Sequence, residues 1–179
     1  MRKVIYFLAA SLDGYIARVD GSVDWLREDD LEETGDELKA FAASVDTVLF
    51  GRKTWEKGLE LDPSGESFTG YTNYVFSRSV RESDFPNVKF INEEAVEFVR
   101  KLKASEGKNI WLMGGGEIAA HFLNAGLIDE IRLNIQPVIL GKGIPMFTNP
   151  DEFAAFESAN VKKHESGSIE VTYKLNGIV

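Results

Sequence analysis

Ile110-Trp111-Leu112-Met113-Gly114-Gly115-Gly116-Glu117-Ile118-Ala119 joins an apolar strand to a helix through three glycines. Ile110 to Met113 reads as a buried strand, and Glu117 to Asn124 as a helix closed by Gly126 just past its cap. Glycine at such a join lets the backbone approach a ligand closely, and the free N–H groups at the helix start attract phosphate. The same glycines also suit a tight turn packed beneath a helix.

Outward from this unit, strand and helix alternate. Val45 to Phe50 is a short buried strand, Gly51 turns the chain, and Arg52 to Gly58 forms a helix of one or two turns. Asn73 to Ser77 and Val88 to Ile91 are further strands. Asn92 caps a helix with Glu93 and Glu94 in its first turn, basic residues near its end, and an apolar stripe of Val96, Val99 and Leu102. Near the amino terminus Val4 to Ala10 is continuously apolar, as a strand covered on both faces must be, and Asp13-Gly14 turns the chain after it. Thr34 and Glu37 make a capping box ahead of Leu38, Phe41 and Ala42. Ile128 to Leu140 is strongly β-branched, with Pro137 suggesting a sheet edge or a bulge. Val161 to His164 and the alternating Ile169, Val171, Tyr173 and Leu175 flank a Ser166-Gly167 turn, an antiparallel hairpin. The pattern predicts one α/β domain over 1–179, with a mixed, mostly parallel sheet, helices on both faces and the hairpin added at the carboxyl end. Ala17 to Glu33 is a long polar loop with a lone aromatic, Trp25, and is expected to act as a lid.

Composition narrows the chemistry. With no cysteine among 179 residues, thiol nucleophiles, disulfides, iron–sulfur clusters and thiolate zinc sites are excluded. Two histidines, His121 and His164, are too few for a His-rich metal site, and both read as packing or surface residues. A net charge of −9 without a basic run speaks against nucleic acid. No apolar run approaches the roughly 20 residues of a membrane-spanning helix, and a cytoplasmic protein is expected.

The glycine run fits a G-x-G-x-x-A dinucleotide pattern, but that pattern belongs in the first β-α unit with an acidic residue about 20 positions later. Here it comes late, and the corresponding strand offers Asn134 and Gln136, so an ordinary Rossmann dehydrogenase is disfavoured. Arg52 and Lys53 at a second helix start oppose the helix dipole and call for an anion, unless they are simply an exposed basic helix end. This segment lacks the glycines of a P-loop.

Leu8-Ala9-Ala10 with Asp13-Gly14-Tyr15-Ile16-Ala17, Gly51-Arg52-Lys53-Thr54-Trp55 and Met113-Gly114-Gly115-Gly116, in that order, resemble dihydrofolate reductase. Gln136-Pro137-Val138-Ile139-Leu140-Gly141-Lys142-Gly143-Ile144-Pro145-Met146-Phe147 resembles more closely the reductase domain of the riboflavin-biosynthesis deaminase/reductase and its small stand-alone relatives. The resemblance implies a dihydrofolate reductase-like fold and an NADPH-dependent oxidoreductase of pyrimidine- or pteridine-like substrates, commonly a homodimer. A true dihydrofolate reductase and a nucleotide-binding module without catalysis are the alternatives. By the same resemblance Ala9, Ala10 and Ile16 hold the nicotinamide, and Gly51, Arg52, Lys53 and Thr54 take phosphates. Ser77 and Arg78 flank the 2′-phosphate, and Met113, Gly114, Gly115, Gly116, Glu117 and Ile118 line the nicotinamide and pyrophosphate. Glu117 departs from the pattern, which often has a basic residue there. On the substrate side Asp36 is the candidate acid, or serves only its helix terminus. Trp25 and Asn134 are candidate substrate contacts, Trp25 alternatively a loop anchor. The β-branched stretch Ile128 to Leu140 is expected to offer a dimer an uncovered sheet edge or face.

Overall fold

In the computed structural model, residues 1–26, 35–79, 82–151 and 154–178 are described. The elements in chain order are β1 (Val4–Ser11), β2 (Tyr15–Ala17), α1 (Gly35–Ala43), β3 (Val45–Gly51), α2 (Arg52–Leu61), β4 (Thr72–Phe76) and β5 (Val88–Ile91). They continue as α3 (Ala95–Ala104), β6 (Asn109–Gly114), α4 (Gly116–Asn124), β7 (Glu130–Gln136), β8 (Ile144–Pro145), β9 (Ala154–Lys163) and β10 (Ile169–Ile178). Eight strands form one sheet in the order β5-β4-β3-β6-β1-β7-β10-β9, while β2 and β8 pair separately. From β5 to β7 every pairing is parallel, and β10 and β9 are antiparallel additions.

Strand periodicity of two sorts the apolar side chains onto the two faces. Val4, Tyr6, Leu49, Ile110 and Leu112 pack with Val99 of α3 and with Ala119, Phe122 and Leu123 of α4. Val48, Phe50 and Val75 pack with Trp55 of α2, and Ile5 and Val45 with Phe41 of α1. After β3 the chain moves outward to β4, whereas after β6 it crosses to β7. Right-handed crossovers in opposite directions put α2 and α4 on opposite faces and open a crevice between the carboxyl ends of β3 and β6.

Several local expectations are corrected. The sheet edge expected of Ile128 to Leu140 does not form: β7 lies inside the sheet, because β10 returns from far downstream to cover it, and exposed Pro137 stands just past the strand. The helix expected from Asn92 begins at Ala95, with Glu94 at its cap and no side-chain cap bond. α2 runs ten residues through Gly58, whose bare Cα accommodates the Phe68 ring: a Cβ there would lie 3.1 Å from it. Thr34 of the capping box and residues 27–33 of the long loop lie outside the described residues.

Candidate functional site

β3 and β6 are neighbours, with Phe50 opposite Gly114, so the starts of α2 and α4 meet at one end of the sheet. Neither helix has a side-chain cap on its first N–H groups, which leaves two positive helix ends facing the same crevice. Gly114 (φ 137°) and Gly115 (φ 44°, ψ 148°) occupy conformations that L side chains rarely adopt. In front of Gly114 the space is open, the nearest atom to an added Cβ being Thr54 Cγ2 at 4.0 Å. Thr54 Oγ1 would be 3.2 Å from a Cβ on Gly115. Gly116 differs from these two, since its Cβ would fall 2.3 Å from the Pro145 carbonyl oxygen and 2.7 Å from Thr148 Oγ1. Gly116 is therefore a packing glycine, and its carbonyl accepts the Thr148 N–H at 3.1 Å. Met113 and Ile118 are half-buried beside the cradle, with Ile118 against Gly51, and Glu117 is exposed.

The cations divide as well. Arg52, expected to need an external anion, already has one: Glu56, one turn on, accepts its Nη1 at 2.8 and 2.9 Å. Exposed Lys53 and Arg78 make no ion pair with any described residue. Arg78 follows β4, whose Phe76 lies opposite Gly51, so both cations stand at the mouth of the crevice. Ser77 Oγ is 3.3 Å from Ser79 Oγ in the same turn.

Ala9 and Ala10 lie near the carboxyl end of β1, beyond its pairing with β6, and Ile16 lies on β2. A brace holds this turn in place. Ser11 donates to Asp13 at 2.6 Å, and Asp13 accepts the N–H groups of Leu140 (3.2 Å) and Gly141 (2.8 Å). The Ser11 hydroxyl, with these amides, keeps the Asp13 carboxyl below the usual range.

The sheet face beneath α1 forms the second half of the site. Across β1, β7, β10 and β9, Ala9, Asn134, Glu170 and Lys162 stand in one lateral row. Phe41 of α1 packs edge-on against Phe7 and Trp111, with the Arg132 guanidinium 5.2 Å over its ring. Glu37, one turn before Phe41, is ion-paired with Lys162, whose hydrogen bond holds the Glu37 carboxyl below its usual range. Asp36 points away: its side chain is 96% exposed and pairs only with Lys39 at 3.4 Å among the described residues, which matches the reading that it serves only its helix terminus on a solvated face and not that of a candidate acid beside the substrate. The α1 carboxylate that reaches across the sheet is Glu37. In sequence the capping box accounts for Glu37, although its spacing of four from Phe41 already placed both on one helix face. Trp25 is 7% exposed, and its Nε1 donor is buried without a partner among the described residues. Asn134 is buried and accepts Gln136 Nε2 at 2.7 Å. Among the described residues no group of acidic and histidine side chains could hold a metal.

A family model described as the RibD C-terminal domain matches residues 2–174. The chain belongs to this family. The RibD C-terminal domain is the reductase-like domain of riboflavin biosynthesis, and the sheet and its paired helices have the dihydrofolate reductase-type fold. Bacillus subtilis YyaP is 36% identical over 98% of this chain and 96% of its own length, and YwjB of the same organism is 43% identical over 82% and 83%. A riboflavin biosynthesis protein RibD from Mycobacterium tuberculosis is 26% identical over 93% of this chain, which spans 50% of that protein. Among solved structures, a Shewanella protein assigned to riboflavin biosynthesis superposes with a TM-score of 0.82 at 26% identity, covering 99% of this chain and all of the other. A pyrimidine reductase-like protein from Corynebacterium diphtheriae has the same fold, with a TM-score of 0.71 at 16% identity over 97% and 92% of the two chains.

Proposed function

We propose that the protein is an NADPH-dependent reductase of the riboflavin-biosynthesis type, acting on a pyrimidine- or pteridine-like substrate much as a 5-amino-6-(5-phosphoribosylamino)uracil reductase does. The observation that carries this reading is the meeting of two uncapped helix starts over Gly114 and Gly115. The cradle fits a dinucleotide: a Cβ at either glycine is conformationally strained, and Lys53 and Arg78 are cations without partners among the described residues. NADPH, when bound, supplies the hydride. Gly114, Gly115 and Thr54 take the pyrophosphate, Ala9, Ala10 and Ile16 wall the nicotinamide, and Ser77 and Arg78 hold the 2′-phosphate. The face beneath α1 seats the substrate, with Phe41 and Phe7 against its ring and Glu37 with Lys162 governing the proton.

A true dihydrofolate reductase is disfavoured because the sheet-facing carboxylate is tied to a lysine of the added hairpin instead of lying alone in an apolar pocket. A binding module without catalysis would bind NADPH but show no hydride turnover with a panel of pteridines and pyrimidines. No helix among the described residues is long and apolar enough to cross a membrane.

Cofactor preference follows from the unpaired cations. Fluorescence titration is expected to show NADPH binding at least about tenfold tighter than NADH, since charge-assisted bonds to phosphate are strong. Arg78→Ala should erase the difference, and Arg52→Ala, already paired to Glu56, should reduce it less. Equal affinities in the wild type would defeat the assignment.

Trp25 is proposed to donate its indole N–H to bound substrate. A buried unsatisfied donor costs about 1–3 kcal/mol, so Trp25→Phe should melt at the same or a higher temperature than wild type while losing turnover. Unchanged turnover would make Trp25 a packing anchor only.

A homodimer is also proposed, through a surface other than β7. Leu12 and Ile139, 61% and 73% exposed, are brought together where the Leu12 N–H donates to Val138, near exposed Pro137 and Ile169. Light scattering should give twice the monomer mass, and Ile139→Lys should return it to monomer.

A further inference from the structure

We infer that Asn134 and Glu170 form a donor–acceptor pair that reads a cyclic lactam edge, a ring carbonyl next to a ring N–H. This inference deepens the reductase reading and rests on it for the identity of the site. Asn134 on β7 and Glu170 on β10 are direct register partners, so their side chains share one face with Cβ atoms about 5 Å apart. That face is the one under α1, because Arg132, two residues before Asn134, carries its guanidinium over Phe41.

The hydrogen-bonding sense of each group is set by its neighbours. Gln136, 1% exposed and two residues along the same strand, donates Nε2 to Asn134 Oδ1 at 2.7 Å. The Asn134 carbonyl is thereby engaged, and its two Nδ2 hydrogens, which meet no described partner, are what it offers a ligand. Glu170 faces Lys162 across the hairpin, but that ammonium is taken by Glu37 from above. The Glu170 carboxylate forms no hydrogen bond or ion pair with a described residue and presents an acceptor. On the other flank of Asn134 stands Ala9, whose methyl group leaves the space over β1 to a flat ring. A donor beside an acceptor selects an acceptor beside a donor, and a lactam has that order. Gln136 is then a positioning residue that prevents the Asn134 amide from turning over.

The test uses 5-aminouracil and its 1,3-dimethyl derivative, which keeps the carbonyls and loses both ring N–H groups. Each is titrated calorimetrically into the protein alone and into the NADPH-saturated protein. Wild type is expected to bind 5-aminouracil at least tenfold tighter than the dimethyl compound. Glu170→Leu, which removes the acceptor on the half-exposed hairpin, should shrink that ratio to threefold or less while its NADPH affinity stays unchanged. Gln136→Leu should weaken 5-aminouracil severalfold, and Asn134→Asp, which turns the donor into an acceptor, at least tenfold. Equal binding of the two compounds by wild type, no binding of either, or a full ratio surviving in Glu170→Leu overturns the inference. NADPH binding in the same samples reports separately on the reductase reading, which survives any of those results if the cofactor still binds and turns over.

Discussion

Gly115→Val is expected to leave a folded protein that no longer binds NADPH. The residue sits at φ 44° and ψ 148°, so any side chain there costs on the order of 1–3 kcal/mol of backbone strain, within the roughly 5–15 kcal/mol of a typical domain. Its branched side chain would crowd Thr54 Oγ1, 3.2 Å from the Cβ position, and fill the space proposed for pyrophosphate. Circular dichroism and cofactor fluorescence on one preparation check both halves. Gly116→Ala should behave in the opposite way. One methyl group would be driven to 2.3 Å from a backbone carbonyl that cannot swing aside, a clash expected to cost more than about 4 kcal/mol and to prevent folding. A folded Gly115→Val that binds NADPH normally would reduce the cradle to a packing turn.

Glu37→Gln should lower kcat by about 10²-fold or more with NADPH affinity unchanged, whereas Asp36→Ala should match wild type. The physical ground is placement: Glu37 is bonded to Lys162 across the sheet face, and Asp36 is in solvent. pH gives an independent readout. Because Lys162 lowers the folded-state pKa of Glu37, the pair supports the fold above the unfolded carboxyl pKa and is lost as pH falls through the lower, folded value. Glu37→Gln should therefore be less stable than wild type at neutral pH, with the two profiles converging as pH falls through the folded value. Comparable kcat loss in Asp36→Ala would return the candidate acid to that position.

The strands of the parallel core were legible because each is a short apolar run beside glycine or a polar turn, and the α4 cradle because three glycines stand between strand and helix. What failed depends on distance along the chain. Pro137 spoke locally for an edge, while β10, which removes that edge, is encoded far downstream. β9 extends to Ala154 although its outer residues show no clean alternation, since an edge strand exposed along most of its length gives no burial signal. The dihedral freedom of Gly114 and Gly115 was implicit in residue type, but nothing local separated them from Gly116, whose constraint comes from Pro145 and Thr148. Arg52 illustrates the opposite case: Glu56 four residues on was in plain view, and the i,i+4 rule would have supplied its counter-ion.

The hairpin of β9 and β10 contributes Lys162 and Glu170 to the face beneath α1, where the substrate is proposed to sit, and among the described residues the glycine cradle is built from other elements. On the proposed reading, cofactor grip and substrate choice are thus written in different stretches of the gene. Deleting the hairpin would bare β7 as a sticky edge, so it must be kept, but its inward side chains at alternate positions can change without disturbing the glycine cradle. A lineage could acquire a new substrate by drift in this late segment alone, and hairpin grafts between relatives should transfer selectivity as a module.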